Sequence, residues 1–111
     1  MANAFKTFTA QNIDTSSSKA TLYTCPADTE TTIIGLNIAN ILSVSITVTV
    51  ELLDGGSTIT HVVKDAIVPV GSSLVAVGGP QKIVMNATDV LTDYGPQANC
   101  CAAVLRVLAI P

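Results

Sequence analysis

The chain offers one histidine, eight acidic residues and three cysteines for proton transfer, metal ligation or nucleophilic attack. With His61 as the single imidazole, no site gathers several His ligands, and any Ser-His-Asp or Cys-His arrangement must be built on this residue. His61 shares its parity with Ile59 and Val63, which predicts a half-buried strand position rather than a base. No Gly-x-Ser-x-Gly elbow is present to raise a nucleophile. The carboxylates Asp28, Glu30, Asp54, Asp65, Asp89 and Asp93 fall mostly at predicted strand ends, where Asp side chains bond their own backbone in turns. Neither Asp28-Thr-Glu30 nor Asp89-Val-Thr-Asp-Tyr carries the repeated oxygen ligands and glycines of a calcium loop. A glycan hydrolase would need paired carboxylates on facing strands, with Asp89 and Asp93 as the candidates. The expectation is no catalytic residue, no metal site and no cofactor.

Gly78-Gly79-Pro80 precedes Gln81-Lys82, but a phosphate cradle needs glycines between a strand and a helix N-terminus. The residues that follow, Ile83-Val84-Met85, are strand-like, so a hairpin turn is expected. Asn86-Ala-Thr88 matches a glycosylation acceptor without a secretion signal to give it consequence. The cysteines stay open. Cys25 sits at a turn and Cys100-Cys101 precede the last strand, an odd count that cannot pair fully within one chain. Adjacent cysteines are expected on opposite faces of an extended segment. Three reduced thiols suit a protein made in a cytoplasm; a bridge from Cys25 to Cys100 or Cys101, or a cross-link between subunits, is the alternative.

These residues are positioned by strands. Ser43 to Leu53 alternates small polar and branched apolar residues, placing Val44, Ile46, Val48, Val50 and Leu52 on one face and Ser43, Ser45, Thr47, Thr49 and Glu51 on the other. The polar side is lined with short hydroxyls and is expected to point outward. Turn signals recur every eight to twelve residues, as in a sandwich or barrel. Strands are expected at Phe5 to Ile13, Ala20 to Thr24, Thr31 to Ala39, Thr58 to Lys64, Ala66 to Val70, Leu74 to Val77, Lys82 to Met85, Val90 to Tyr94 and Ala102 to Ile110. Pro26 stops the second, and Asp54-Gly55-Gly56 closes the central hairpin. No segment of ten residues shows a helical period with caps. The prediction is one all-β domain over residues 1–111, an antiparallel β-sandwich with Greek-key or jelly-roll connections.

Composition narrows the partners. The 111 residues are 49% hydrophobic and 12% charged, with net charge −3, roughly half the usual share of charge. That deficit favours a subunit whose surface is partly covered in an assembly. Lys6, Lys19, Lys64, Lys82 and Arg106 are scattered, and two Phe, two Tyr and no Trp leave little to stack on bases, so nucleic acid is not expected as a partner. The longest uncharged apolar run, Ile67 to Val77, is broken by Pro69 and Gly71 and is too short for a membrane helix. The first residues lack a signal peptide, so synthesis in a cytoplasm is expected.

Taken together, Phe5-Lys-Thr-Phe-Thr-Ala, Ala20-Thr-Leu-Tyr-Thr-Cys-Pro26, Thr31-Thr-Ile-Ile-Gly-Leu-Asn-Ile-Ala-Asn40, Val68-Pro-Val-Gly-Ser-Ser-Leu-Val-Ala-Val-Gly-Gly79, Gln81-Lys-Ile-Val84 and Asp89-Val-Leu91 resemble small all-β virion structural proteins of tailed bacteriophages, including cyanophages. The resemblance covers nearly the whole chain. Asn86-Ala-Thr-Asp89 departs from it where a Gly-Asp turn is commoner, and Asn99-Cys-Cys departs where Ser and Ala are usual. The resemblance implies a non-enzymatic subunit of the virion that binds the capsid shell as a decoration or cement protein. It would be made in the host cytoplasm and held by copies of itself and by a capsid or tail scaffold, as a homo-oligomer. A neck, tail or fibre-attachment component, or a host-surface or glycan-binding module using Tyr23 or Tyr94, is the alternative. The contact surface is expected at Ser45, Thr47, Thr49, Phe5, Phe8 and Ile110.

Overall fold

The computed structural model describes residues 4–15, 17, 19–55, 57–78, 82–97 and 99–110, with backbone alone at Ala4 and Ile110. Its elements are β1 (Ala4–Ile13), β2 (Ala20–Thr24), β3 (Glu30–Asn40), β4 (Ile46–Asp54), β5 (Thr58–Val68), β6 (Ser73–Val77), β7 (Ile83–Met85), β8 (Val90–Tyr94) and β9 (Cys101–Ile110). Among the described residues no helix interrupts them. The pairings are nested: β1 with β9, β2 with β8, β3 with β7 and β4 with β5, all antiparallel. The chain therefore doubles back on itself like one long hairpin. Rolling that hairpin sends its strands into two sheets, ordered β1-β9-β3-β6 (with β7 also on β3) and β2-β8-β4-β5. This is the jelly-roll arrangement of an antiparallel sandwich, as the strand pattern led one to expect.

Strand alternation fills the space between the sheets. Ile33, Leu36 and Ile38 of β3, Leu105 and Val107 of β9, Val48 and Val50 of β4 and Leu91 of β8 are all buried in one core. Each such side chain contributes roughly 1.5–3 kcal/mol of apolar burial. Phe8 turns inward beside them, its ring 5.0 Å from that of Tyr23, while the Tyr23 hydroxyl meets the Thr31 hydroxyl at 2.9 Å.

Two boundaries differ from the pattern. The strand expected from Ser43 starts at Ile46, because Asn40 shapes the preceding segment. Its side-chain amide donates to the carbonyls of Val44 (2.8 Å) and Val68 (3.1 Å), and its carbonyl oxygen accepts from the Leu42 amide (2.8 Å). Residues 42–44 bend around that anchor, leaving Val44 exposed. Conversely, Thr58–Val68 is one strand where two were expected. Asp65 adopts φ 51°, and the ladder slips there, from Val48 opposite Ala66 to Val50 opposite Val63. A β-bulge absorbs the extra residue without ending the strand. Two bends elsewhere match expectation: Gly55 (φ 63°) turns β4 into β5, and Gly71 (φ 71°) turns β5 toward β6, where the Ser72 amide donates to the Pro69 carbonyl at 3.1 Å. Gly79, Pro80 and Gln81 lie outside the described residues.

Candidate assembly interface

The outward hydroxyl face expected on β4 is covered within the subunit. Thr49 is 1% exposed and Glu51 3%. Thr49 sits under the β5 bulge, accepting from the Asp65 amide at 3.0 Å and donating to Asp65 Oδ1 at 3.3 Å. Glu51 stands between His61 of β5 and Thr92 of β8 in the register. Its carboxylate takes Lys19 Nζ at 2.7 Å and lies 3.3 Å from His61 Nε2, and the Thr92 hydroxyl donates to it at 3.5 Å. The Lys19 ammonium also lies 5.6 Å from the Tyr94 ring centre. A buried carboxylate needs such partners, since an unpaired one costs several kcal/mol. Thr49 is therefore withdrawn from the expected contact surface: its partners come from β5. Ser45 remains exposed just before β4, and Thr47 is half-buried.

The carboxylates divide in two. Asp89 behaves as a turn residue, accepting from the amides of Gly55 (2.9 Å) and Asn86 (3.0 Å). Asp93 does not. It is fully buried inside β8, opposite Val50, and neither carboxylate oxygen has a hydrogen-bond partner. Burial pushes its carboxyl up to about 7, against a smaller lowering by the neighbouring Tyr94 backbone amide, which acts on the charge without hydrogen-bond geometry. Among the described residues no pocket opens onto Asp89 or Asp93. The signal for Asp93 was its phase with Leu91, which places both on the inner side of β8.

The cysteines depart from expectation in their placement. All three are free and buried. Cys25 lies against Thr31 at the start of β3 (Sγ to Oγ1 3.4 Å), whereas Cys101 pairs with Asn40 at its end. Nine residues of extended strand separate those ends by about 30 Å, so a bridge from Cys25 to either neighbour is ruled out within one subunit. Cys100 and Cys101 do not face opposite ways. Asn99 takes φ 56°, Cys100 stays outside the strand that Cys101 opens, and the two sulfurs come within 3.1 Å.

Among the apolar surfaces that the molecule leaves uncovered is the outer side of the five-stranded sheet. One row across it reads Phe5, Leu108, Thr32 and Val84; a second reads Thr9, Val104, Asn37 and Val75. Phe5 is 77% exposed, Val75 61% and Val84 59%. Between the rows Arg106 stands opposite Gly35 and Thr7, and the lack of a Gly35 side chain leaves room beside its guanidinium. Arg106 at the centre and Glu30 at one end are the charges on this face among the described strand residues. Phe8, expected alongside Phe5, points instead into the core, because its register partner Leu105 is an inner residue. Ile110 continues β9 opposite Glu30, and its side chain lies outside the described residues. Tyr23 is buried and Tyr94 lies beside Lys19, so Tyr23 is not available as a glycan platform.

No protein-family model matches the chain, and no curated protein is similar to it in sequence. Solved structures share its fold. A subunit from work on Bacillus endospore appendages, described as a family of disulfide-linked pili, superposes with a TM-score of 0.57 at 17% identity, covering 97% of this chain and 85% of that one. A protein of the infectious bursal disease virus Gx strain superposes with a TM-score of 0.53 at 16% identity, covering 98% of this chain but 32% of that one. This chain is thus similar in fold to most of one appendage chain and to about a third of a viral chain.

Proposed function

We propose that the chain is a non-enzymatic structural subunit that assembles with copies of itself through the outer face of the five-stranded sheet. The observation that carries this reading is the pair of apolar and hydroxyl rows across β1, β9, β3, β6 and β7, with Phe5, Val75 and Val84 all more than half exposed. Large apolar side chains exposed on one sheet face favour an interaction site there. Repeated identical contacts around a symmetry axis, or along a filament, add through multivalency, so a weak pairwise interface is sufficient. The station we favour is decoration of a tailed-phage capsid shell as a cement protein, in keeping with the resemblance of the strand and turn motifs. A filament or appendage subunit is the second reading, favoured by the likeness to the pilus subunit over 85% of that chain.

The purified protein separates these readings. Sedimentation velocity over a concentration series, with electron microscopy and a binding assay on undecorated phage shells, is the experiment. Saturable binding to shells supports decoration, and filaments formed by the protein alone support the appendage reading. A chain that stays monomeric throughout and leaves shells bare refutes both.

A further inference from the structure

We propose that Cys100 and Cys101 are a reversible vicinal dithiol that closes to an intramolecular disulfide, with the buried Asp93 carboxyl restraining its closure. Two neighbouring thiols meet only where the chain is not a regular strand, and several separate features produce that here. Asn99 adopts φ 56°. The Cys100 amide and thiol both donate to the Ile13 carbonyl, at 3.0 and 3.2 Å. Opposite them Gly95 has no Cβ, and the Cys100 sulfur occupies the place where one would stand. The sulfurs are left side by side at 3.1 Å.

Asp93 is an independent second observation. It stands near the end of β8, two residues before Gly95, whose packing against the Cys100 sulfur brings this part of the chain to the pair, and it is fully buried with both oxygens unpartnered. Its charge bears on Cys101. Burial above all, then the hydrogen bond to Cys100, then the Asp93 charge, push the Cys101 thiol up. Because the thiolate is the reactive form, an ionised Asp93 keeps Cys101 protonated and closure slow.

Closure needs a two-electron oxidant, and diamide, a small neutral diazene, serves as the probe. One thiolate adds to the N=N bond; the second attacks that sulfur, the S–S bond forms, the S–N bond breaks and a hydrazine leaves. Two electrons pass to the nitrogens, and the two thiol protons end there. Adjacent Cα atoms are about 3.8 Å apart, closer than the span of an ordinary disulfide. The product is strained and readily reduced, a responsive couple and not a permanent staple. Access requires local opening where the β8–β9 connection meets β9.

The test treats the folded protein with diamide at pH 8, quenches with acid, unfolds it and counts maleimide-reactive thiols by mass and peptide mapping. Two of the three cysteines are expected to disappear while Cys25 stays free, with a monomer about 2 Da lighter, as a two-electron couple requires, and with full recovery in dithiothreitol. Cys25→Ser should behave identically and Cys101→Ser should not close. Asp93→Asn, shown to be folded by its melting curve, should close at least about threefold faster at pH 8. Equal reaction of all three thiols, disulfide-linked dimers as the product, or no closure in the folded protein would overturn the couple. An unchanged rate in folded Asp93→Asn would overturn the role of Asp93.

Discussion

Lys19 and Glu51, 32 residues apart in sequence, meet at 2.7 Å on the outer side of the four-stranded sheet. The contact ties the chain just before β2 to the middle of β4, and it neutralises a carboxylate that the sheet has almost entirely covered. Lys19→Met removes the closest cation and leaves Glu51 with His61 and Thr92. A loss of about 1–2 kcal/mol is expected in urea unfolding, larger than for an exposed pair because Glu51 is buried. Adding Glu51→Leu should recover most of it, since an apolar replacement of both partners is often neutral. If the double variant is as unstable as the sum of the single ones, the pair is not coupled.

How much of this was legible in the sequence depends on where each residue's partner lies. Ile46, Val48 and Val50 are inward because their own neighbours alternate with them, a purely local rule. The same rule placed Thr49 and Glu51 outward, and their backbone phase obeys it. What covers them comes from Asp65, 16 residues on, and Lys19, 32 residues back, and no local period encodes such contacts. Cys100 and Cys101 fail for another reason: alternation presumes a continuous strand, and Asn99 breaks it with a left-handed backbone. The apolar outer rows are different again. Each draws one residue from each of four strands, so they exist only once the strand order is known.

Gly95 is required by packing, not by a left-handed backbone. Any Cβ at this position would collide with the Cys100 sulfur, and Cys100 is held by its two bonds to Ile13. Gly95→Ala should cost about 1–3 kcal/mol, the range for overpacking a tight core. Combining it with Cys100→Gly should return part of that stability, because the colliding atoms are gone. Chemical denaturation of the two single variants and the double variant measures the rescue; its absence would show that Gly95 serves the turn itself.

Asp93 makes stability depend on pH in the direction opposite to an ion-paired carboxylate. Its carboxyl rises from 3.8 to about 7 in the folded chain, so the folded state holds the proton more tightly than the unfolded one. The contribution is fully present below about pH 4, falls as pH rises, and is lost above about pH 7. At 1.36 kcal/mol per pH unit, the fall amounts to about 4 kcal/mol. Asp93→Asn should therefore flatten the curve and be more stable than the parent at pH 8. Unfolding free energies at pH 4.5, 6 and 8 for both proteins isolate the effect, because the other carboxylates are common to them. Parallel curves would mean that Asp93 is solvated or paired in solution.

The outer face of the five-stranded sheet provides the sharpest test of assembly. Val75 and Val84 are exposed on β6 and β7, so placing lysine at both should change folding stability by no more than about 0.5 kcal/mol each. In an interface each added ammonium would have to be desolvated without a partner, a penalty of several kcal/mol. Ile67→Lys is the control: Ile67 is equally exposed, but it lies on β5, the edge strand of the other sheet. Val75→Lys/Val84→Lys is expected to abolish self-association or shell binding at least tenfold in concentration, with Ile67→Lys near the parent. The reverse ranking would move the interface to the β5 edge, whose length and exposure would then be what draws the neighbouring subunit.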